Sequence, residues 1–357
     1  MKKYQFGIIG CGRIANRHIS VLESIEKAEI AAVCDTNEEK AQETAKKLDV
    51  PYYTEYTDMI EKEKLDIVNI LTPSGSHAEI AMRCADHIKN IIVEKPMALR
   101  LEDADMLIEK CNADDIHLFV VKQNRYNLPV QKLKEAIDQG RFGKIVLATV
   151  RVRWRRDQEY YDSAAWRGTW SMDGGVLANQ ASHHVDLLQW LGCPIESVIG
   201  KTARQLVDIE TEDTAVAIIK FVNGAIGVIE ATTAARPKDL EGSITIMGSK
   251  GTVEIGGFAV NEIKHWIFED EMESDKEIKE KYSVNPPDIY GFGHREFLTK
   301  VIESLDKRIK GPVDGLEARK SLELINAIYE SVETRSEVSL RFKQQFSRLG
   351  EKRKGGG

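Results

Sequence analysis

The sequence predicts an α/β fold in two parts, and three observations predict it. Short apolar runs alternate with helical patterns over residues 4–122, as in a parallel sheet covered by helices. A small-residue turn, Gly10-Cys11-Gly12-Arg13-Ile14-Ala15, joins the first run, Phe6–Ile9, to the first helix. From Lys144 onward, extended stretches are separated by turns such as Asn223-Gly224 and Ser249-Lys250-Gly251, which predicts a large, mostly antiparallel sheet. With 357 residues the chain exceeds one ordinary core, and two domains are expected. We place them at 1–124 and 125–345, with a charged, Gly-rich tail at 346–357.

Composition narrows the class. The 50 basic and 57 acidic residues give a net charge of -7, which argues against nucleic acid or an anionic membrane as partner. The cysteines, Cys11, Cys34, Cys84, Cys111 and Cys193, show no CxxC spacing, as expected of packing thiols in a reducing cytoplasm. The start MKKYQFGIIGCG mimics a lipoprotein signal, but its apolar stretch is shorter than an export signal needs. No apolar run approaches the length of a membrane-spanning helix.

Each element of the first half has a local reason. Gly10 permits the tight turn, Gly12 a close backbone approach, and Ala15 close packing of helix on strand. The helix that opens at Arg13 and Ile14 offers free N–H groups and a positive dipole end to a pyrophosphate. Asp35 ends the second strand, Ile30–Cys34, where a carboxylate accepts ribose hydroxyls and repels a 2'-phosphate. The turn therefore reads as a dinucleotide cradle with NAD favoured over NADP; a purely structural βαβ unit is the alternative. Asn37–Leu48 is an amphipathic helix, and Asp66–Leu71 the next strand. Its end leads into Thr72-Pro73-Ser74-Gly75-Ser76-His77, the strand Ile91–Val93 delivers Glu94-Lys95-Pro96, and His117–Val121 delivers Lys122-Gln123-Asn124-Arg125. Loops at strand ends line the ligand crevice of a doubly wound sheet, so Thr72, Pro73, His77, Glu94, Lys95 and Gln123 are candidate cofactor contacts.

The second half opens with a helix, Pro129–Gln139, and a strand, Lys144–Trp154. Strands follow at Thr214–Phe221, Ala225–Thr232, Gly242–Met247 and Gly251–Ile255, with helices at His183–Leu191, Phe292–Asp306 and Gly315–Arg335. Three features could carry chemistry. Lys95, at a strand end beside a proline, could orient a substrate hydroxyl or be a solvated surface lysine. In Gly174–Asp186, Asn179 and His183 stand four apart and are expected on one helix face. A histidine suits the removal of a hydroxyl proton, although a core histidine fits as well, and adjacent His183 and His184 point apart, against a metal pair. Arg151, Arg153, Arg155, Arg156 and Arg167 interleave with Trp154, Tyr160, Tyr161, Trp166 and Trp170. Such a cluster could bind an anionic substrate or be a solvated strand edge paired with Asp157, Glu159 and Asp162.

GIIGCGRIA, the Glu94-Lys95-Pro96 tripeptide and a GG…N…H…D pattern ending Leu187-Leu188-Gln189-Trp190-Leu191-Gly192 together resemble the Gfo/Idh/MocA oxidoreductase family, from about residue 4 to 340. The resemblance implies a Rossmann domain, an α/β domain with an open, mostly antiparallel sheet, a nicotinamide cofactor, and homodimers or homotetramers built through the sheets. It implies catalytic roles for Lys95 and His183, and nearby cofactor contacts at Trp166 and Arg167. The family commonly has Asp four residues before the catalytic His; here Asn179 stands there, so a Lys-Asp-His triad does not transfer whole. Within the family, VVKQNRYN (120–127), RWRRDQEYYDSAAWRGTW (153–170) and NQASHH (179–184) are similar to bacterial UDP-N-acetylglucosaminuronate 3-dehydrogenases of cell-surface polysaccharide synthesis. That likeness implies a UDP-sugar substrate held by Lys95, Arg125, Arg155, Tyr161, Asn179 and His183, with 2-oxoglutarate as a candidate acceptor for the electrons of NADH. Another sugar or an inositol as substrate, and a non-catalytic NAD-sensing regulator, are the alternatives.

Overall fold

A computed structural model of the chain describes residues 3–283, 291–340 and 349; apart from Leu349, the expected tail at 346–357 lies outside the described residues. The chain forms two compact units. Met1–Ala98, Glu102–Val121 and His294–Arg319 make the first, and Leu99–Leu101, Lys122–Gly293 and Lys320–Gly357 the second.

The first unit alternates strand and helix: β1 (Tyr4–Ile9), α1 (Arg13–Glu23), β2 (Ala28–Cys34), α2 (Glu38–Leu48), β3 (Tyr52–Tyr53), α3 (Tyr56–Lys62), β4 (Ile67–Ile70), α4 (His77–Cys84), β5 (Asn90–Val93), α5 (Leu101–Ala113) and β6 (His117–Val120). The strands form one parallel sheet in the order β3-β2-β1-β4-β5-β6. This is the Rossmann order, and its direction reverses between β1 and β4. All four residues of β4 are buried, because helices cover both faces of such a sheet. The helices carry their own signals: the Asn37 side chain caps α2 by accepting from the Lys40 N–H at 3.0 Å, and α2 buries only Ala41 and Ala45.

The second unit contains α6 (Leu128–Asp138), β7 (Ile145–Arg153), α7 (Gln158–Asp162), α8 (Ser182–Leu191), β8 (Ile195–Ala203), β9 (Thr214–Phe221), β10 (Ile226–Thr232), β11 (Glu241–Gly248), β12 (Gly251–Gly256), β13 (Glu262–Phe268) and α9 (Ile278–Tyr282). Next in the chain come α10 (Gly293–Lys307), which from His294 on belongs to the first unit, α11 (Gly315–Thr334), which passes from the first unit into the second at Lys320, and β14 (Val338–Ser339) of the second unit. The eight strands run β13-β12-β11-β7-β10-β9-β8-β14. Every pairing is antiparallel except β10 with β7. One face of this sheet is packed. Val150 and Val152 of β7 stand opposite Ile244 and Gly242 of β11, and a Cβ on Gly242 would lie 2.7 Å from His184 Nε2 of α8. Residues at alternate positions, Thr149, Arg151 and Arg153 on β7, therefore point to the other face.

Candidate active site

The first unit builds a cradle at the ends of β1 and β4. Gly10 has φ +99°, and a Cβ there would lie 2.8 Å from the Leu71 carbonyl, so only glycine fits between the two strand ends. In front of Gly12 a Cβ would meet nothing within 4 Å. Gly12 is the N-cap of α1 without a side-chain hydrogen bond, and the first turn holds no acidic residue. The N–H groups at Arg13 and Ile14 thus face the approach an anion would take. Asp35 is fixed by its surroundings: Oδ2 accepts the Cys11 N–H at 2.8 Å and Oδ1 the Asn37 N–H at 2.8 Å. Open glycine, uncapped helix end and oriented carboxylate fit a dinucleotide, its pyrophosphate on α1 and its ribose hydroxyls at Asp35.

Other candidate cofactor residues of this unit turn out to hold the cradle's loops. His77 is buried, with Nδ1 2.7 Å from the Pro96 carbonyl and Nε2 2.7 Å from the Thr72 carbonyl. It joins the Thr72-Pro73 loop to the one carrying Lys95. Burial lowers its pKa, while the two carbonyls pull the other way. Glu94, expected among the cofactor contacts, has its carboxylate buried and turned inward. Oε2 accepts the Lys95 N–H at 2.9 Å, and Oε1 lies 2.9 Å from His18 Nε2 and 3.7 Å from His294 Nε2. Burial raises the Glu94 pKa, but the two histidines outweigh it and hold the group well below the usual carboxylate range. Asn69 Nδ2 sits 2.9 Å from the other nitrogen of His18, so a hydrogen-bonded chain fixes the backbone from which Lys95 projects. The potential ligand atoms of His18, Glu94 and His294 lie within 4.8 Å of one another. Sequence reasoning missed both histidines, since no spacing links residues 18, 94 and 294.

The second unit presents His183 from the first turn of α8. Asn179 does not share that helix face, contrary to expectation. Gly174 takes φ +79°, the Asn179 N–H bonds to the Gly175 carbonyl at 3.0 Å and the Ala181 N–H to that of Val176 at 2.7 Å, so Asn179 lies in the turn before the helix. Its amide donates to Asp173 Oδ1. His183 Nε2 is 2.8 Å from the Gln123 amide, which places Gln123 beside the histidine. Sequence reasoning had assigned Gln123 to the cofactor. His184 faces the sheet and stacks edge-on against Trp154 at 5.7 Å; burial lowers its pKa to about 3.

Within the arginine cluster, Arg151 and Arg153 are part-exposed and paired with carboxylates of neighbouring strands. Arg153 grips Glu230 at 2.6 and 2.9 Å on the sheet face away from α8, and Arg151 meets Glu241 there at 3.5 Å. Arg125 is buried with its guanidinium on Asp186, at 2.7 and 2.9 Å. Tyr161 is buried too, its hydroxyl 3.2 Å from Thr233 Oγ1, in a cluster with Val207 and Ile209. Both were expected among the substrate contacts; Arg125 is committed to a buried ion pair and Tyr161 packs among apolar side chains. Arg155 keeps a side chain 46% exposed and pairs with Asp157 at 2.5 Å. Arg167 stacks on Tyr160 and Trp166, 4.3 and 4.6 Å from their ring centres, and with Arg204 it lines a cleft of about 430 Å³. Among the described residues no helix is long and apolar enough to cross a membrane.

Comparison with known proteins agrees with both halves. Residues 4–121 match the oxidoreductase family model with an NAD-binding Rossmann fold, and residues 130–254 the GFO/IDH/MocA C-terminal domain. The chain is similar to the WlbA dehydrogenase of Bordetella pertussis, solved with NADH and UDP-GlcNAcA: 42% identity, 95% of this chain and 98% of that one covered, TM-score 0.92. It is also similar to the WlbA dehydrogenase of Chromobacterium violaceum, solved with the same two ligands: 43% identity, 96% and 98% covered, TM-score 0.91. The myo-inositol 2-dehydrogenase of Thermotoga maritima is 28% identical over 94% of this chain and 98% of that protein. With an NAD cradle on one unit, an antiparallel α/β unit carrying His183 on the other, and near full-length relatives of the same build, the chain belongs to the Gfo/Idh/MocA family of NAD-dependent oxidoreductases.

Proposed function

We propose that the protein oxidises the 3-hydroxyl of a UDP-linked N-acetylated hexuronic acid to the 3-ketone, in making precursors of cell-surface polysaccharide. The observation that carries this reading is the 42–43% identity, over nearly the whole chain, to two dehydrogenases solved with UDP-GlcNAcA. The division of labour follows the two halves, with residues 1–124 binding NAD and 125–345 binding the sugar and a further copy of the chain. Bound NAD supplies the hydride acceptor. His183 takes the proton of the reacting hydroxyl, Lys95 donates a hydrogen bond to its oxygen, and Asn179, aimed by Asp173, hydrogen-bonds the neighbouring hydroxyl. Arg155 meets substrate charge, since its guanidinium is the exposed one near the start of α7. The 28% identity to a myo-inositol dehydrogenase favours a second reading, oxidation of a neutral polyol. A panel of UDP-sugars, free sugars and inositols, assayed for NADH and for ketone product with and without 2-oxoglutarate, separates the two. Turnover of the UDP-uronate alone supports the first reading, and turnover of an inositol alone replaces it with the second.

A further inference from the structure

The turn that carries Asn179 is sewn to one short segment, Glu210-Thr211-Glu212, just before β9. The Trp170 N–H donates to Glu210 Oε2 at 3.1 Å, Thr211 Oγ1 to the carbonyls of Gly168 and Gly174 at 3.0 and 3.2 Å, and the Val176 N–H to the Glu212 carbonyl at 3.0 Å. The side chain of Glu212 reaches further in. Its Oε1 accepts the Leu177 N–H at 3.1 Å and the hydroxyl of Tyr329, from α11, at 2.8 Å. A Cβ on Gly175 would lie 2.1 Å from Oε2, so the carboxyl packs directly against the backbone of the turn. From that backbone the placement passes to the reacting groups. The Asn179 N–H bonds to the Gly175 carbonyl and the Ala181 N–H to that of Val176, and Ala181 is the N-cap of α8, whose first turn holds His183.

The two oxygens of Glu212 are unlike. Two donors converge on Oε1, as on the carbonyl oxygen of a neutral acid, whereas Oε2 is buried with no partner among the described residues. A bare O⁻ is far costlier to bury there than an O–H. The titratable groups around the carboxyl do not relieve it. Asp173 has its own oxygens on the Gly168 N–H, at 2.8 Å, and on the Asn179 amide, and its charge opposes a second one on Glu212. Tyr329 serves as a donor, because burial and Glu212 hold its pKa well above the usual tyrosine range. On the segment itself, Glu210 is taken up by Trp170 and Asp213 by the N–H groups of Gln205 and Leu206.

We propose, resting on the reading of Asn179 and His183 as reacting groups, that Glu212 is a positioning residue for both: as a neutral acid it holds the turn through Leu177 and Tyr329, and when its proton passes to solvent the turn opens more readily. Burial, opposed by the Leu177 N–H and the Tyr329 hydroxyl, pushes the Glu212 pKa up to about 7, so the change falls in the range where the enzyme is assayed.

The test uses the full chain with NAD and follows hydrogen exchange in the stretch 174–182 by mass spectrometry at pH 6 and pH 8, corrected for the pH dependence of exchange in an unfolded chain. With a pKa of about 7 in the closed turn against 4.5 in the open one, protection in wild type is expected to fall ~10-fold between the two. E212Q keeps an oxygen for both donors and has no proton to lose, so it is expected to show no such fall. E212L is expected to be poorly protected at both. Turnover of UDP-GlcNAcA is the second readout: E212L is expected to lose at least ~10-fold in kcat with NAD affinity within ~2-fold, and E212Q to recover most of that loss. Equal protection of wild type at the two pH values, or a fall that E212Q shares, overturns the inference, and so does a kcat of E212L within ~2-fold of wild type. Should E212L not fold, wild type and E212Q decide alone. If exchange behaves as expected but wild type leaves UDP-GlcNAcA unchanged, the proposed substrate falls while the role of Glu212 in holding the turn stands.

Discussion

The guanidinium of Arg125 and the carboxylate of Asp186 make two hydrogen bonds, 2.7 and 2.9 Å long, where both residues are all but sealed from solvent. Burial raises the Asp186 pKa, but Arg125 and Lys122 outweigh it and hold the group well below the usual carboxylate range. Removing one partner of a buried pair strands the other charge. Arg125→Met is therefore expected to cost about 3–5 kcal/mol of stability, read from the urea midpoint. A midpoint within about 1 kcal/mol of wild type, with substrate KM raised, would return Arg125 to the role of substrate contact.

Asp35 is expected to set cofactor choice. Its two oxygens are held by the N–H groups of Cys11 and Asn37, so the carboxylate cannot swing away from an added 2'-phosphate. NAD is expected to bind at least ~10-fold more tightly than NADP, about 1.4 kcal/mol. Asp35→Ser should narrow that ratio mainly by improving NADP. Equal affinities of the wild-type protein for the two nucleotides in a titration would refute the assignment.

What was legible in the sequence is what local pattern encodes. β9, Thr214–Phe221, is legible to the residue because a nearly continuous apolar run ends just before the Asn223-Gly224 turn. Its neighbour β8, Ile195–Ala203, was missed because it buries Ser197 and exposes Ile199, against an apolar-in, polar-out pattern, and β13 because charged residues and aromatics mix along it. In β7 the alternation changes phase near Val146: the β11 partner slips by one residue between Met247 and Gly248, which buries Ile145 and exposes Val146. The cradle was legible since Gly10, Gly12 and Asp35 act through backbone and short range. The fates of Glu94, Arg125 and Arg153 were not. Their partners, His294, Asp186 and Glu230, lie far away in the chain, and only the fold brings them close.

The solvent face of the second sheet carries a further expectation. Ile199 of β8 stands beside Ile218 of β9, and with Val216 they are 41%, 51% and 44% exposed. Apolar side chains in adjacent rows of an open sheet favour a second copy of the chain as cover. Wild type is expected to sediment as a dimer or tetramer. Ile218→Glu, which puts a charge in the middle of the row, should shift it to smaller species while leaving the circular dichroism spectrum intact. An unchanged sedimentation coefficient would place the contact elsewhere.

Glu212 supplies a pH-dependent stability term beneath the turn that carries Asn179. Its Oε1 accepts the Leu177 N–H at 3.1 Å and the Tyr329 hydroxyl at 2.8 Å, while Oε2 has no partner among the described residues. Burial, helped by nearby Asp173 and opposed by those two donors, pushes its pKa from 4.5 to about 7. A carboxyl with a raised folded pKa imposes no charge penalty below its unfolded value. The penalty grows as pH rises from about 4.5 to about 7 and is complete above that, reaching about 3 kcal/mol for such a shift. Glu212→Gln keeps an oxygen for both donors and carries no charge at any pH. Its stability relative to wild type, measured by urea unfolding at fixed ionic strength, should therefore climb from pH 5 to about pH 7 and level off by pH 8. A difference independent of pH across that range would mean that Glu212 does not change its charge there.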